Sequence, residues 1–440
     1  MHFNFRTVAS LLGLTLLGLV STSPLPDTEA RPPPTHPQHQ VIILGGGVAG
    51  VIAAQSLHRR GIDDFLIVEA RGELGGRLTS HPFGGKVIEL GANWIQGTQS
   101  GSGPENPILK LAKRHGLETQ INDFDSMTTY DTNGPEDYLE VFDRSEEAYT
   151  NLTIAGGPRV DSSLVDLTAR TGYLIQRTSA HTPHEEASEY YRANNFTFIP
   201  EAGGFSDEDL LSIDQRGFKH FLQAEANSFL KPHQARYNSL VKKVTYSDHG
   251  VSVTLDSGEI ILGDYAICTF SIGVLQHEDV EFEPELPDYK FEAINSMTMA
   301  TFTKIFLQFP EKFWFDTEMG LYADAERGRY PVWQSLDHEN YFPGSGIIFV
   351  TVTGDFSERI ERLPDSQVKG EVLGVLQNMF PNTTIPEPLD FLFYRWHSDP
   401  LFRGSYSNWP PSFYSGHHDN IRANLGRLYF AGEATSQKYF

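Results

Sequence analysis

Along the chain the apolar positions change period several times, and each change marks an element. Residues 41–44 (VIIL) form an uninterrupted apolar run, the pattern of a strand buried on both faces. After a glycine cluster, small and apolar residues from Ala49 to Leu57 close near Gly61 behind Arg59 and Arg60. That is the layout of a helix with basic residues in its last turn. A second apolar run, FLIVEA, follows at 65–70. Residues 106–115 (NPILKLAKRH) have helical spacing, with proline near the start, where a missing donor costs little. From about 131 to 214 the chain is polar and acidic with scattered aromatics, among them Phe196, Phe198 and Phe205, which fits either a helical domain or a surface excursion.

At 238–270 the period becomes two. Val251, Val253 and Leu255 alternate, the Asp256-Ser257-Gly258 turn follows, and further apolar strands end with 265–270, so a β-meander is expected. Residues 300–309 (ATFTKIFLQF) read as another strand, on which Lys304 shares a face with Phe302 and Phe306. A lysine in that company either snorkels outward or is buried with partners, and the residues alone favour an edge position with a solvated tip. The apolar stretch 428–430 is a last strand, ending at Ala431-Gly432-Glu433.

The glycines at 45, 47 and 50 have the GxGxxG spacing between the first strand and its helix. Gly45 permits the tight turn, Gly47 the approach of a pyrophosphate, and Gly50 close packing of helix on strand. Free N–H groups at the helix start then receive phosphate charge. Glu69 stands at the end of the second strand, where a carboxylate accepts hydrogen bonds from ribose hydroxyls. A dinucleotide site of Rossmann type follows, with NAD and FAD both open at this point.

Charge and the chain ends narrow the picture. Thirty-four basic and fifty-seven acidic residues give a net charge of -23, which argues against nucleic acid and anionic membrane as partners and concentrates cations. An acidic surface also serves solubility alone. Arg6 precedes an apolar run at 8–20 and the small residues Ser21, Thr22 and Ser23, the layout of a secretory signal over 1–23. That run is too short for a comfortable span, so no transmembrane anchor is expected. The proline-rich 24–40 reads as a flexible leader. Sequons at Asn151, Asn195 and Asn382 fit a secreted glycoprotein. The single cysteine, Cys268, excludes an internal disulfide and lies in an apolar stretch expected to bury it as an inert thiol. No metal is expected: His36 and His39 fall in the leader, and the adjacent His417 and His418 point in different directions.

The segment ARGELGGRLTS, with Arg71, Gly75, Gly76 and Arg77, followed by IELGANWIQG at 88–97, resembles the flavin-containing amine oxidase family, and within it the polyamine oxidases. The resemblance implies an α/β fold: a Rossmann-type FAD-binding domain, discontinuous in sequence (41–130, 236–298 and 401–440), with a mixed-sheet and helical substrate domain (131–235 and 299–400). It carries contacts to non-covalent FAD onto Glu69, Arg71, Gly76, Arg77, Gly91, Ala92, Asn93, Trp94, the backbone at Val241, Gly432 and Glu433. It makes Lys304 the lysine that reaches flavin N5 through water, and places Gln96, Phe302, Trp396 and Tyr406 along the substrate. No cysteine near the C-terminal motif offers a thioether link.

The implied reaction oxidises a C–N bond of a cationic polyamine to an imine, which hydrolyses to aldehyde and amine while oxygen becomes hydrogen peroxide. Two departures stand out. Plant-type relatives carry a glutamate where Gln96 stands, a charge that Glu105 or acids in 131–214 could replace. The chain also stops at Phe440, where the family continues into a helix supporting the flavin, so truncation is expected. Two other functions stay open. An L-amino-acid oxidase would need a carboxylate clamp, for which Arg395 and Arg403 are candidates, and loss of the terminal segment would suit a catalytically impaired flavin-binding protein.

Overall fold

The computed structural model describes residues 38–161, 164, 166–193, 206 and 208–436. The signal, almost all of the leader and Asn195 lie outside them. Around the first strand, His39–Leu44, the chain builds an eight-stranded sheet. Phe65–Val68 runs parallel on one side and Ile260–Cys268 parallel on the other, so Ile43 stands between Ile67 and Ile267. The strand begins at His39, two residues earlier than the apolar run indicates.

Both faces of this strand are covered. Val41 and Ile43 enter one core with Val51, Ala54 and Phe221, while Ile42 and Leu44 enter another with Val244, Val253 and Leu428. Alternation sends neighbours to opposite faces, and two apolar layers explain why every position in the run is apolar. The expected meander is present as Val241–Tyr246, Val251–Leu255 and Ile260–Cys268. Its third member is one nine-residue strand rather than two. That strand pairs antiparallel with Val251–Leu255 through its first half and parallel with Leu428–Phe430 through its second. Three distant stretches of chain thus share one sheet, and the cofactor-binding region is discontinuous.

A seven-stranded sheet holds Phe302–Gln308 between Ile347–Thr353 and Asp390–Phe393. The strand bearing Lys304 is therefore interior, not an edge. Ile305 and Leu307 face the core under the helices Gly354–Glu361 and Asp365–Met379, and Phe306, with Lys304 two residues before it, faces the opposite way toward Phe83 and Phe349. A small third sheet places Asp209–Ser212 between Trp94–Gln96 and Thr119–Ile121. The polar middle region is helical, with Leu139–Asp161, Ala169–Ile175 and Pro183–Ala193. Asn151 and Asn382 are exposed, Cys268 is buried, and no helix among the described residues is long and apolar enough to cross a membrane.

Helix Val48–His58 is tied to its neighbours by a buried carboxylate. Glu225, on His220–Asn227, accepts from Gln55, from Arg114 Nη1 at 2.6 Å and from His115, joining three helices. Burial pushes its pKa up, but the bonds from His115, Arg114 and Gln55 outweigh that and hold it below the usual carboxylate range. A depressed folded-state pKa stabilises above the unfolded carboxylate's pKa, and that stability is lost as pH falls through the lower, folded value. Glu225→Ala is expected to cost about 1.5–3 kcal/mol in urea unfolding at neutral pH, a difference that shrinks on acidification.

Candidate active site

The glycine turn is shaped by close contacts. Gly45 has φ +104°, and a Cβ there would stand 2.6 Å from Thr269 Oγ1; a Cβ on Gly50 would stand 2.0 Å from the Gly45 carbonyl oxygen. At Gly47 a Cβ would meet only Gly76 Cα, at 3.9 Å, so this face of the turn is open. Helix Val48–His58 starts there with no side-chain cap and no acid in its first turn. Open backbone, unsatisfied N–H groups and the positive end of the helix suit a pyrophosphate. The second glycine segment lies against the turn, with Gly75 N–H donating to Gly46 O at 3.0 Å.

Glu69 is buried and already engaged: one oxygen accepts from Gly46 N at 2.7 Å and the other from Arg71 N at 2.8 Å. Each oxygen keeps a further lone pair for a ribose hydroxyl, so the residue both stiffens the turn and can serve the ligand. Ser239 N donates to the Glu69 carbonyl at 3.0 Å, which brings the segment leading into Val241 alongside. Arg71 Nη1 donates to Gly76 O at 2.9 Å. Arg77 reaches across 356 residues to Glu433, 3.3 Å away, and donates to Ser405 O at 2.8 Å. Glu433 in turn accepts from Ser407 N and Oγ. The cofactor residues expected from both ends of the chain are thus adjacent.

Lys304 is 3% exposed. Its Nζ donates to Gly91 O at 2.5 Å, Asn93 Oδ1 at 2.7 Å and Glu89 O at 3.1 Å, and lies 5.1 Å from the Trp94 ring centre and 6.0 Å from that of Phe349. Burial lowers its pKa to about 7, against the pull of Glu89. Burial also raises the Glu89 carboxyl to about 7, although Phe218 N and Ser80 Oγ donate to it. An amine poised near neutrality is suited to accepting or releasing a proton.

Phe302 and Tyr406 lie 6.1 Å apart, both partly open, and burial raises the Tyr406 phenol to about 12. Trp396, which the resemblance places along the substrate, is 2% exposed; it stands behind Gly91 and donates from Nε1 to Leu90 O at 3.3 Å. Ala92 and Gln96 are exposed, and Asp209 is the cross-strand neighbour of Gln96. Glu105, a candidate for the missing charge, pairs with Lys113 at 2.7 Å. Glu89, Ser405 and Asn122 were not legible as site residues: the first sits inside the IELGANW motif as an ordinary strand acid, and no motif marks the other two.

The sequence pattern described as flavin containing amine oxidoreductase matches residues 48–156 and 176–440. The chain belongs to this family. It is 33% identical to polyamine oxidase 7 of Oryza sativa subsp. japonica, over 98% of this chain and 96% of that one. Polyamine oxidase 1 of Zea mays is 34% identical, over 91% and 86%. A putrescine oxidase redesigned for cofactor binding superposes with a TM-score of 0.69 at 16% identity, covering 91% of this chain and 95% of its own, and shares the fold. At the level of the family the protein is an FAD-dependent amine oxidase that yields hydrogen peroxide, and its FAD is non-covalent. The open turn at Gly47, the helix start and the spare acceptors of Glu69 fit that cofactor.

Lys304→Met is expected to slow flavin reduction or reoxidation by about 10²-fold in stopped-flow absorbance. The parent's pH profile should carry a transition near pH 7, where Lys304 loses its proton as pH rises, and the variant's should lack it.

Proposed function

We propose that the protein oxidises a C–N bond of a polyamine to the imine, which water converts to aldehyde and amine. FAD, when bound, would supply the two-electron acceptor for this oxidation and the route of those electrons to oxygen. The observation that carries this reading is the buried Lys304 amine beside Trp94, on the strand whose first residue, the partly exposed Phe302, lies 6.1 Å from the Tyr406 ring. Aromatic walls orient a carbon chain and keep water from the reacting C–N bond. Lys304 Nζ directs its N–H groups to Glu89 O, Gly91 O and Asn93 Oδ1, so it acts on the site by holding this segment and its charge beside Trp94.

Charge supports a cationic substrate. Gln96 has no charge, but Asp209 faces it across the strand pair, with one oxygen accepting from Gly97 N at 3.0 Å. Asp209 thereby offers a carboxylate where a distal ammonium would pass. The net charge of -23 adds long-range attraction. An amino-acid substrate is disfavoured, because both candidate clamps are committed: Arg403 binds Asp279 through two bonds of 2.7 Å, and Arg395 donates to Asp365 and to the carbonyls of Glu361 and Leu363. The relatives named polyamine oxidases support the same substrate class. Secretion belongs to the proposal through the N-terminal signal pattern and the exposed sequons at Asn151 and Asn382.

Anaerobic addition of spermine, spermidine or their acetylated forms is expected to bleach the flavin absorbance, whereas leucine and phenylalanine leave it unchanged. The opposite selectivity refutes the proposal. Asp209→Asn should raise KM for the polyamine about tenfold, the loss of roughly 1.4 kcal/mol of binding, with a smaller change for a monoamine.

A further inference from the structure

From the motif residue Trp94 a buried polar chain runs inward through residues that lie in no motif. Trp94 Nε1–H donates to Asn122 Oδ1 at 2.7 Å, and Asn122 Nδ2 donates to Glu318 Oε2 at 2.8 Å. Gln334 Nε2 donates to the same Asn122 oxygen at 3.0 Å. Glu318 also accepts from Asp123 N, Asn340 Nδ2 and the Tyr341 hydroxyl. Asn122, Gln334, Tyr341 and Glu318 are all buried.

The chain has a direction. A carboxylate only accepts, so Asn122 must turn its amino group to Glu318 and its oxygen to the two donors, the indole and Gln334. The amide orientation is therefore set from both ends. Among the described residues no lysine or arginine pairs with Glu318; the group nearest to a cation is His338, whose Nδ1 is 4.0 Å away. The carboxylate is held instead by hydrogen-bond donors, and such a network polarises its members. An indole donating into it is held at a fixed tilt, with its electron-rich face toward the Lys304 amine.

We infer that Asn122 is a positioning residue that sets the tilt of the Trp94 indole beside Lys304, with Glu318 fixing the direction of the Asn122 amide. Asn122 acts through Trp94 and touches no reacting atom. Its kinetic consequence rests on the amine-oxidising site proposed above; its structural consequence does not.

The test uses the full chain, with and without FAD, carrying isotope-labelled tryptophan. The Trp94 indole N–H resonance is identified by its loss in Trp94→Phe. Asn122→Ala is expected to move that resonance upfield and speed its exchange with water. The same variant should slow amine-driven flavin reduction about tenfold, the scale of a small misplacement, while KM changes less than about twofold. Asn122→Ser, which restores an acceptor, should bring both readouts back toward the parent. Glu318→Gln should shift the resonance in the same direction by less, and it carries both readouts if Asn122→Ala does not fold. An unmoved resonance in these variants overturns the inference, as does a moved resonance with an unchanged reduction rate. A parent flavin that no amine reduces refutes the functional reading instead, and the resonance then decides alone whether Asn122 sets the indole.

Discussion

Holding a primary amine among aromatic side chains demands partners, because an ammonium loses its hydration there and gains nothing from the rings comparable to what it gives up. At Lys304 the partners are the carbonyls of Glu89 and Gly91 and the side-chain oxygen of Asn93. All three acceptors lie within five residues, so the segment 89–93 must dock against the interior strand Phe302–Gln308 in one register. Gly91 is required for that docking, since a Cβ there would lie 1.8 Å from the Arg77 carbonyl. The same segment delivers Trp94 to the lysine and continues from Arg77, whose guanidinium ties it to Glu433. The chemistry near the lysine and the grip on the cofactor are thus set by one stretch of backbone.

That arrangement explains the division of labour between the sheets. The strand His39–Leu44 is covered by apolar cores on both faces, which suits a turn whose backbone must stay open at Gly47. The mixed seven-stranded sheet has one face in the helix-covered core and the other toward Phe83, Phe349 and Trp396, so the Phe302–Gln308 strand alternates between the two. The small sheet of Trp94–Gln96, Asp209–Ser212 and Thr119–Ile121 bridges them and brings an acidic residue from the polar middle region next to Gln96. The carboxylate beside Gln96 thus comes from across a strand pair, not from along the chain.

Much of the cofactor site was legible from residue order because its geometry is local. The glycines at 45, 47 and 50 serve one turn, and Glu69 ends the next strand, so spacing encodes their arrangement. The alternation placing Phe302, Lys304 and Phe306 on one face was equally legible. The environment of that face was not. Seven residues of strand look alike at an edge and in the interior, and only the flanking Ile347–Thr353 and Asp390–Phe393 make Lys304 a buried amine. Trp396 shows the converse: the family resemblance placed it along the substrate, whereas its residue type alone reads as a core aromatic, and packing behind Gly91 leaves it 2% exposed.

By itself the sequence determined the βαβ turn, the helical and strand periods, the acidic balance and the face on which Lys304 sits, since each depends on neighbours within a few residues. The tertiary structure alone decided that Arg77 meets Glu433, that Asp209 stands opposite Gln96, and that Asn122 joins Trp94 to Glu318. These contacts join positions tens to hundreds of residues apart, and a hydrogen bond at 3 Å leaves no periodic trace in the chain that makes it.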